Sequence, residues 1–112
     1  MEKVQLGKTD LQVSQMGLGC LYFGARDSKE KSFRRMDQYL AAGGNFLDTA
    51  NIYSHWINDQ TKGGESEKMI GKWLQARNNR SEVIIASKVG FPYPGTEYGT
   101  SKEQIKEEFH KS

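Results

Sequence analysis

The sequence has 112 residues, of which 36% are hydrophobic and 27% charged, and its formal net charge is +2 at pH 7. This length allows one domain with a modest core. Charges of both signs are interspersed, so no nucleic-acid patch is predicted, and no apolar run approaches the roughly 18–20 residues of a membrane span. No apolar signal segment opens the chain, and the single cysteine, Cys20, excludes an intrachain disulfide. We therefore expect a cytoplasmic protein with neither nucleic acid nor membrane as a partner.

The first predicted elements are two short strands at residues 4–6 and 11–13. They alternate apolar and polar residues around a turn, which predicts an antiparallel hairpin within residues 1–14. A short strand is expected next, at residues 15–19. The glycines at positions 17, 19 and 24 do not match G-x-G-x-x-G, because the third comes two residues late and no helix opens directly after it. A Rossmann-type dinucleotide site is therefore not predicted.

Helices and strands alternate over the rest of the chain. A helix with its apolar residues at i, i+3 and i+7 ends at two glycines, and a strand at 45–48 follows at once. A polar loop leads to a helix at 66–77, for which Ser66 is the expected N-cap, and then to a strand at 83–88. After a loop at 91–99, Thr100 or Ser101 begins a last helix with a capping box. Strands separated by helices in this order are typical of βαβ units with a parallel sheet.

Three reactive side chains lie at or just beyond the predicted strand ends: Asp48, Tyr53 and Lys88. In a parallel α/β fold such ends carry the chemistry. A free phenol, with a pKa of about 10, is a poor proton donor near neutrality, but a nearby ammonium favours its phenolate. Lys88 is the candidate ammonium, and Asp48 is placed to hold it. Tyr53 would then act as a general acid that protonates an oxygen as hydride reaches a carbonyl carbon.

The same residues have a plainer interpretation, which spacing alone leaves open. Asp48 would cap the loop that follows it, Tyr53 would pack as a loop aromatic, and Lys88 would be a solvated strand end. Cys20 also has a plainer interpretation: it would be a small buried hydrophobic residue and have no redox role. No group of Cys and His residues has the spacing of metal ligands, so no metal site is predicted.

Several stretches together resemble one family. They are M-G-L-G at 16–19, A-G-G-N-F-L-D-T-A at 42–50, Tyr53, G-E-S-E at 64–67 with I-G at 70–71, and V-I-I-A-S-K-V-G at 83–90. In this order they are similar to the N-terminal third of an aldo-keto reductase. The resemblance implies an α/β fold of the (β/α)8 TIM-barrel family, of which residues 15–112 would supply about the first three βα units. Three strands cannot close a barrel, since a complete one needs at least about 200 residues.

The resemblance also implies roles for individual residues. Catalysis would belong to Asp48, Tyr53 and Lys88. The implied positions beside NADPH (NADP+) are Gly19, Cys20, Leu21 and Asp48, and those beside a small carbonyl substrate are Tyr22 and Trp56. For both of these aromatics, packing is an equal alternative. The family's histidine, which helps to orient the substrate carbonyl, lies on a fourth strand, so neither His55 nor His110 is assigned to that role.

Three functions remain open from the sequence. The first is an NADPH-dependent reductase of aldehydes or ketones, weak or inactive as 112 residues alone. The second is a non-catalytic partial barrel that persists by self-association through its open edge or by binding a complementing partner. The third is a small α/β binding module of another fold.

Overall fold

The strands of this protein form two separate sheets in a computed structural model that describes residues 1–54, 56–92 and 99–112. In the first sheet, β1 (Lys3–Gln5) and β2 (Gln12–Ser14) pair antiparallel, which is the predicted hairpin. The second sheet is parallel, in the order β3-β4-β5, and consists of β3 (Leu18–Gly19), β4 (Phe46–Asp48) and β5 (Ile84–Ala86). Its strands are shorter than the apolar runs that predict them. His55 and most of the loop expected at 91–99 lie outside the described residues.

In the described residues three α-helices accompany the strands: α1 (Lys29–Ala41), α2 (Glu65–Arg77) and α3 (Lys102–Lys111). Helix α1 begins after Ser28, whose side chain accepts a hydrogen bond from the Lys31 amide. Of the two capping boxes that the sequence allows for α3, the one with Ser101 and Gln104 is formed. A cap of this kind satisfies amides that have no partner inside the helix, so it fixes where the helix starts.

Ser66 is not the N-cap of α2, so that prediction is wrong. The helix begins one residue earlier, and Gly64 occupies the cap position in the left-handed conformation, with φ of 87°. Ser66 is fully buried, and its hydroxyl donates a hydrogen bond to the Cys20 carbonyl at 2.7 Å. The Ser66 Oγ also lies 2.7 Å from the Thr49 Oγ1. The hydroxyl is thus used between the ends of β3 and β4, where a buried polar group needs partners, and not at the helix start.

The core lies between the parallel sheet and helices α1 and α2. Its buried side chains are Phe33 and Met36 from α1, Met69, Ile70 and Trp73 from α2, and Cys20, Phe23, Leu47 and Val83 from the strands and connecting segments. The apolar face predicted for the first helix is therefore the face that packs. The indole Nε1 of Trp73 donates to Asp37 at 2.7 Å, which satisfies the one polar atom that this large side chain brings into the core.

The hairpin is attached to the amino-terminal end of the parallel sheet. Asn45, directly before β4, accepts a hydrogen bond from the Ser14 amide at 2.7 Å and donates one to the Gln12 carbonyl at 2.9 Å. The Tyr39 hydroxyl joins the same region, 2.7 Å from Ser14 Oγ and 3.1 Å from the Phe46 amide that donates to it. The hairpin thus occupies one end of the sheet, and the carboxyl ends of the strands lie at the other.

Candidate active site

The three predicted catalytic side chains meet at the carboxyl ends of β4 and β5. Asp48 is the last residue of β4, Lys88 follows the end of β5 by two residues, and Tyr53 lies in the loop after β4. The ammonium of Lys88 donates to Asp48 Oδ1 at 2.7 Å and to the Thr49 carbonyl at 2.7 Å. The same nitrogen lies 5.1 Å from the centroid of the Tyr53 ring. The amine therefore lies beside both the acid and the phenol.

The surroundings of Lys88 keep its side chain protonated. Partial burial acts to lower the pKa of Lys88, but hydrogen bonds with Asp48 and Tyr53 and the charge of Asp48 raise it more. The net effect is a pKa above the ordinary value of 10.5. At neutral pH the group beside the Tyr53 ring is consequently an ammonium, held by a carboxylate and a carbonyl.

Backbone hydrogen bonds to β5 fix the loop that carries Tyr53. The Thr49 amide donates to the Ala86 carbonyl at 2.8 Å, and the Asn51 amide donates to the Lys88 carbonyl at 3.1 Å. Ser54, directly after Tyr53, is fully buried and has a φ of 81°. Its hydroxyl donates to the Leu21 carbonyl at 3.1 Å. A non-glycine residue held in this strained region is a feature of sites whose geometry matters more than local stability.

Three buried residues of this loop region have side-chain roles that the sequence did not predict: Thr49, Asn51 and Ser54. Each is at most 7% exposed and uses its side chain to hold backbone or a neighbouring side chain. In the sequence they are single small polar residues in the segment that follows a buried strand. Such residues are equally typical of a solvated loop, so their position does not single them out.

The positions implied for the cofactor differ in their surroundings. A Cβ added to Gly19 would meet nothing within 4 Å, so the backbone there borders open space beside Asp48. The Cys20 amide donates to the Asp48 carbonyl at 2.9 Å, and the Leu21 carbonyl accepts from Ser54. The Cys20 side chain is fully buried, and burial, followed by the charge of Asp48, raises its pKa to about 12. Cys20 is therefore a core residue, as its plainer interpretation held.

The two aromatics implied for the substrate have different contacts. Trp56 is 47% exposed, and its ring meets Tyr53 edge-on with the centroids 6.3 Å apart. Tyr22 is partly buried and lies under the Arg26 guanidinium, 4.9 Å from its ring centroid. A pocket of about 140 Å³ is lined by Tyr53 and Lys88, with Phe91 among its apolar residues. Trp56 thus borders Tyr53, whereas the recorded ring contact of Tyr22 is with Arg26.

Within residues 1–54, 56–92 and 99–112, no three His, Cys, Asp or Glu side chains come together in a group that could bind a metal ion. Each helix in this part of the chain is too short or too polar to serve as a membrane span. Of the histidines, His110 lies on α3 next to Phe109, and His55 is outside the described residues.

Comparison with known proteins shows the family of this chain. A model of the Aldo/keto reductase family matches residues 15–112. The chain belongs to the aldo/keto reductase family. Among its relatives, a norsolorinic acid reductase of Emericella nidulans is 36% identical over 109 residues, which cover 91% of this chain and 25% of that protein. An aryl-alcohol dehydrogenase [NADP(+)] of Phanerodontia chrysosporium is 38% identical over 103 residues, covering 85% and 24%.

The solved structure of an aldo-keto reductase from Bacillus halodurans, in its holo form, matches with a TM-score of 0.74 and 40% identity. The match covers 96% of this chain and 33% of that one. The chain therefore spans about a quarter to a third of the length of these aldo-keto reductases. The predicted fold class, a partial (β/α)8 barrel, and the predicted family are confirmed. A binding module of another fold is excluded by the same match.

Proposed function

We propose that this chain carries the proton-donating part of an NADPH-dependent reductase of aldehydes or ketones. One observation supports this most directly: the Lys88 ammonium lies 2.7 Å from Asp48 Oδ1 and 5.1 Å from the Tyr53 ring centroid. In the proposed reaction the Tyr53 hydroxyl gives its proton to the carbonyl oxygen. The Lys88 ammonium stabilises the phenolate that remains, and Asp48 keeps this ammonium charged and in place.

The residues at the strand ends suit the nicotinamide end of the cofactor. When bound, NADPH supplies the hydride that the carbonyl carbon accepts. Asp48 is 44% exposed and can accept hydrogen bonds from ribose hydroxyls, while Gly19 beside it leaves room for a flat ring to approach the backbone. The Cys20 and Leu21 carbonyls already accept bonds from Ser66 and Ser54, so we assign these two residues the support of that surface. The choice of NADPH is supported by the aryl-alcohol dehydrogenase relative, which bears NADP(+) in its name.

The substrate we propose is a small carbonyl compound with an apolar or aromatic group. The pocket beside Tyr53 is lined by Ala50, Ile52, Val89 and Phe91 as well as by Tyr53 and Lys88. A few polar groups at the edge of an apolar pocket are typical of small-molecule sites. Trp56, whose ring contacts that of Tyr53, would provide a second apolar surface. Tyr22 stays in the proposal as a more distant wall.

The test is consumption of NADPH by the purified chain with a reactive aromatic aldehyde. We expect slow turnover, because the chain spans about a third of a solved relative and positioning contributes about 7–11 kcal/mol to such barriers. Tyr53→Phe should lower the rate at least ~100-fold by removing the general acid. Asp37→Asn, in an ion pair between α1 and α2, is the control and should leave the rate unchanged. A rate that survives Tyr53→Phe, or no turnover together with unchanged NADPH fluorescence, would contradict the proposal for this chain.

A second proposal concerns association of the chain with itself. Within the described residues, β3 and β5 each pair on one side only. On α3, Ile105 is 43% and Phe109 is 72% exposed. Open strand edges and exposed apolar faces favour pairing with another chain. We therefore propose that a second copy of this chain covers part of this surface.

A further inference from the structure

Helix α3 buries a charged residue where an amphipathic helix would bury apolar ones. Glu108 is 5% exposed and is the buried residue of this helix, whereas the apolar side chains Ile105 and Phe109 face outward. Burying a carboxylate costs free energy unless it is paired and hydrogen-bonded. The groups that Glu108 contacts therefore indicate the role of this buried carboxylate.

The Glu108 carboxylate has a partner on each oxygen. Asn51 Nδ2 donates to Oε2 at 2.7 Å, and Lys111 Nζ lies 2.9 Å from Oε1. Asn51 is itself only 7% exposed, and its Oδ1 accepts no hydrogen bond within the part of the chain that the structure describes. The bond to Glu108 is consequently the polar contact recorded for the Asn51 side chain. Lys111 balances the charge that the carboxylate brings inside.

Asn51 links α3 to two parts of the candidate site. Its backbone amide donates to the Lys88 carbonyl at 3.1 Å, so it is joined to the chain that carries the ammonium. Two residues later the same loop carries Tyr53, whose amide donates to the Ala50 carbonyl at 3.3 Å. The position of the Asn51 side chain therefore affects the positions of both Lys88 and Tyr53.

We infer that Glu108 is a positioning residue, which through Asn51 holds the Tyr53 loop in register with Lys88. The inference rests on the proposed function for its chemical meaning, since the loop matters because it carries the proton donor. The hydrogen bonds described above join Glu108 to Asn51 and Lys111, not to the three catalytic candidates. Its effect is to keep Asn51 at one place between α3 and β5, and thereby to limit the distances that Tyr53 and Lys88 sample.

Amide hydrogen exchange measured by NMR on the full chain tests this without any turnover. In Glu108→Ala the Asn51 side chain loses its acceptor, and we expect the Asn51 amide to exchange about tenfold faster or more. The Thr49 and Cys20 amides, which donate to Ala86 and Asp48, are internal controls and should stay protected. Glu108→Gln retains an acceptor for Asn51 and should restore slow exchange. The matched control is Glu107→Ala, which loses an exposed ion pair with the same Lys111.

The outcomes separate the inference from a general loss of stability. Faster exchange at Asn51 alone in Glu108→Ala, with recovery in Glu108→Gln and no change in Glu107→Ala, supports the positioning role. Equal acceleration of the Asn51, Thr49 and Cys20 amides would show global destabilisation and overturn it, as would an unchanged Asn51 amide. If exchange responds as expected but Tyr53→Phe has no effect on NADPH consumption, the proposed function fails while the loop contact stands.

Discussion

Three groups contact the Lys88 ammonium: the Asp48 carboxylate, the Thr49 carbonyl and the Tyr53 ring. Of these, Asp48 is the charged group. Asp48→Asn should therefore lower the pKa of Lys88 toward its ordinary value of 10.5. Because the folded pKa is the higher one, the pair stabilises the fold below about pH 10.5, and this contribution is lost as pH rises through the folded pKa. The Lys88 side chain is 50% exposed and screened by solvent, so we expect about 1 kcal/mol or less.

NMR titration of the lysine side chains, with Lys88→Arg to assign the signal, measures this pKa. Asp37→Asn is the control, because its partner is Arg77 and it should leave the Lys88 signal unchanged. An unchanged Lys88 pKa in Asp48→Asn would mean that the Thr49 carbonyl and Tyr53 hold the ammonium without help from the carboxylate.

The Cys20 thiol should be protected from alkylation in the folded chain. Burial raises its pKa from 9.0 to about 12, and reaction requires an exposed thiolate. The raised pKa contributes no change in stability below about pH 9, where both states keep the proton. Between pH 9 and 12 only the unfolded thiol ionises, so the free energy of unfolding falls as pH rises. Fast alkylation under native conditions would contradict this.

Urea unfolding at two pH values on either side of 9 measures the effect on stability. The Cys20→Ala variant should lose less stability than the native chain between the two, because it has no thiol to ionise. Equal losses in both chains would place the titrating group elsewhere.

At the scale of elements, the turn between α1 and β4 requires Gly44 to lie close to the ring of Tyr39. A Cβ on Gly44 would overlap the ring of Tyr39, whose hydroxyl ties the hairpin to β4. Gly44→Ala should therefore destabilise the chain by about 1–3 kcal/mol, the usual cost of overpacking. Gly71→Ala in the middle of α2 is the matched control, because its Cβ would meet nothing within 4 Å. That variant should be more stable by about 0.5–1 kcal/mol in urea unfolding. Equal changes in the free energy of unfolding for the two substitutions would contradict this prediction.

The helices and the meeting of Asp48, Tyr53 and Lys88 were predictable, because apolar periodicity marks packed faces and parallel strands align their carboxyl ends. A capping box at the start of α3 was also predictable, since it depends on residues three apart, but the sequence left Thr100 and Ser101 as alternatives. The role of Ser66 was not predictable. A serine near a helix start is usually an N-cap, and the sequence does not show that this one bonds to residues after two strand ends. Glu108 was equally hidden, since its partner is 57 residues away and a glutamate on a polar helix is typically solvated.

At the scale of the whole molecule, the exposed apolar side chains of α3 predict concentration-dependent association. Size-exclusion chromatography with light scattering should show masses above the 12.7 kDa of one chain as concentration rises. Phe109→Glu should shift the balance toward the single chain, because it places a charge on a surface that is now apolar. Lys102→Glu, a charge change at the start of the same helix, should have little effect. A mass of one chain at every concentration would rule out the second copy.

The two tryptophans of this protein lie in opposite surroundings. Trp73 is fully buried in the core, whereas Trp56 is 47% exposed with its ring edge-on to Tyr53. Indole emission moves to shorter wavelength away from water, so the intrinsic fluorescence contains one signal for the folded core and another for the surface beside the phenol. With Trp73→Phe or Trp56→Phe, the same spectrum can be divided between them. The chain thus carries its own optical reporters, one for unfolding and one for what happens at Tyr53.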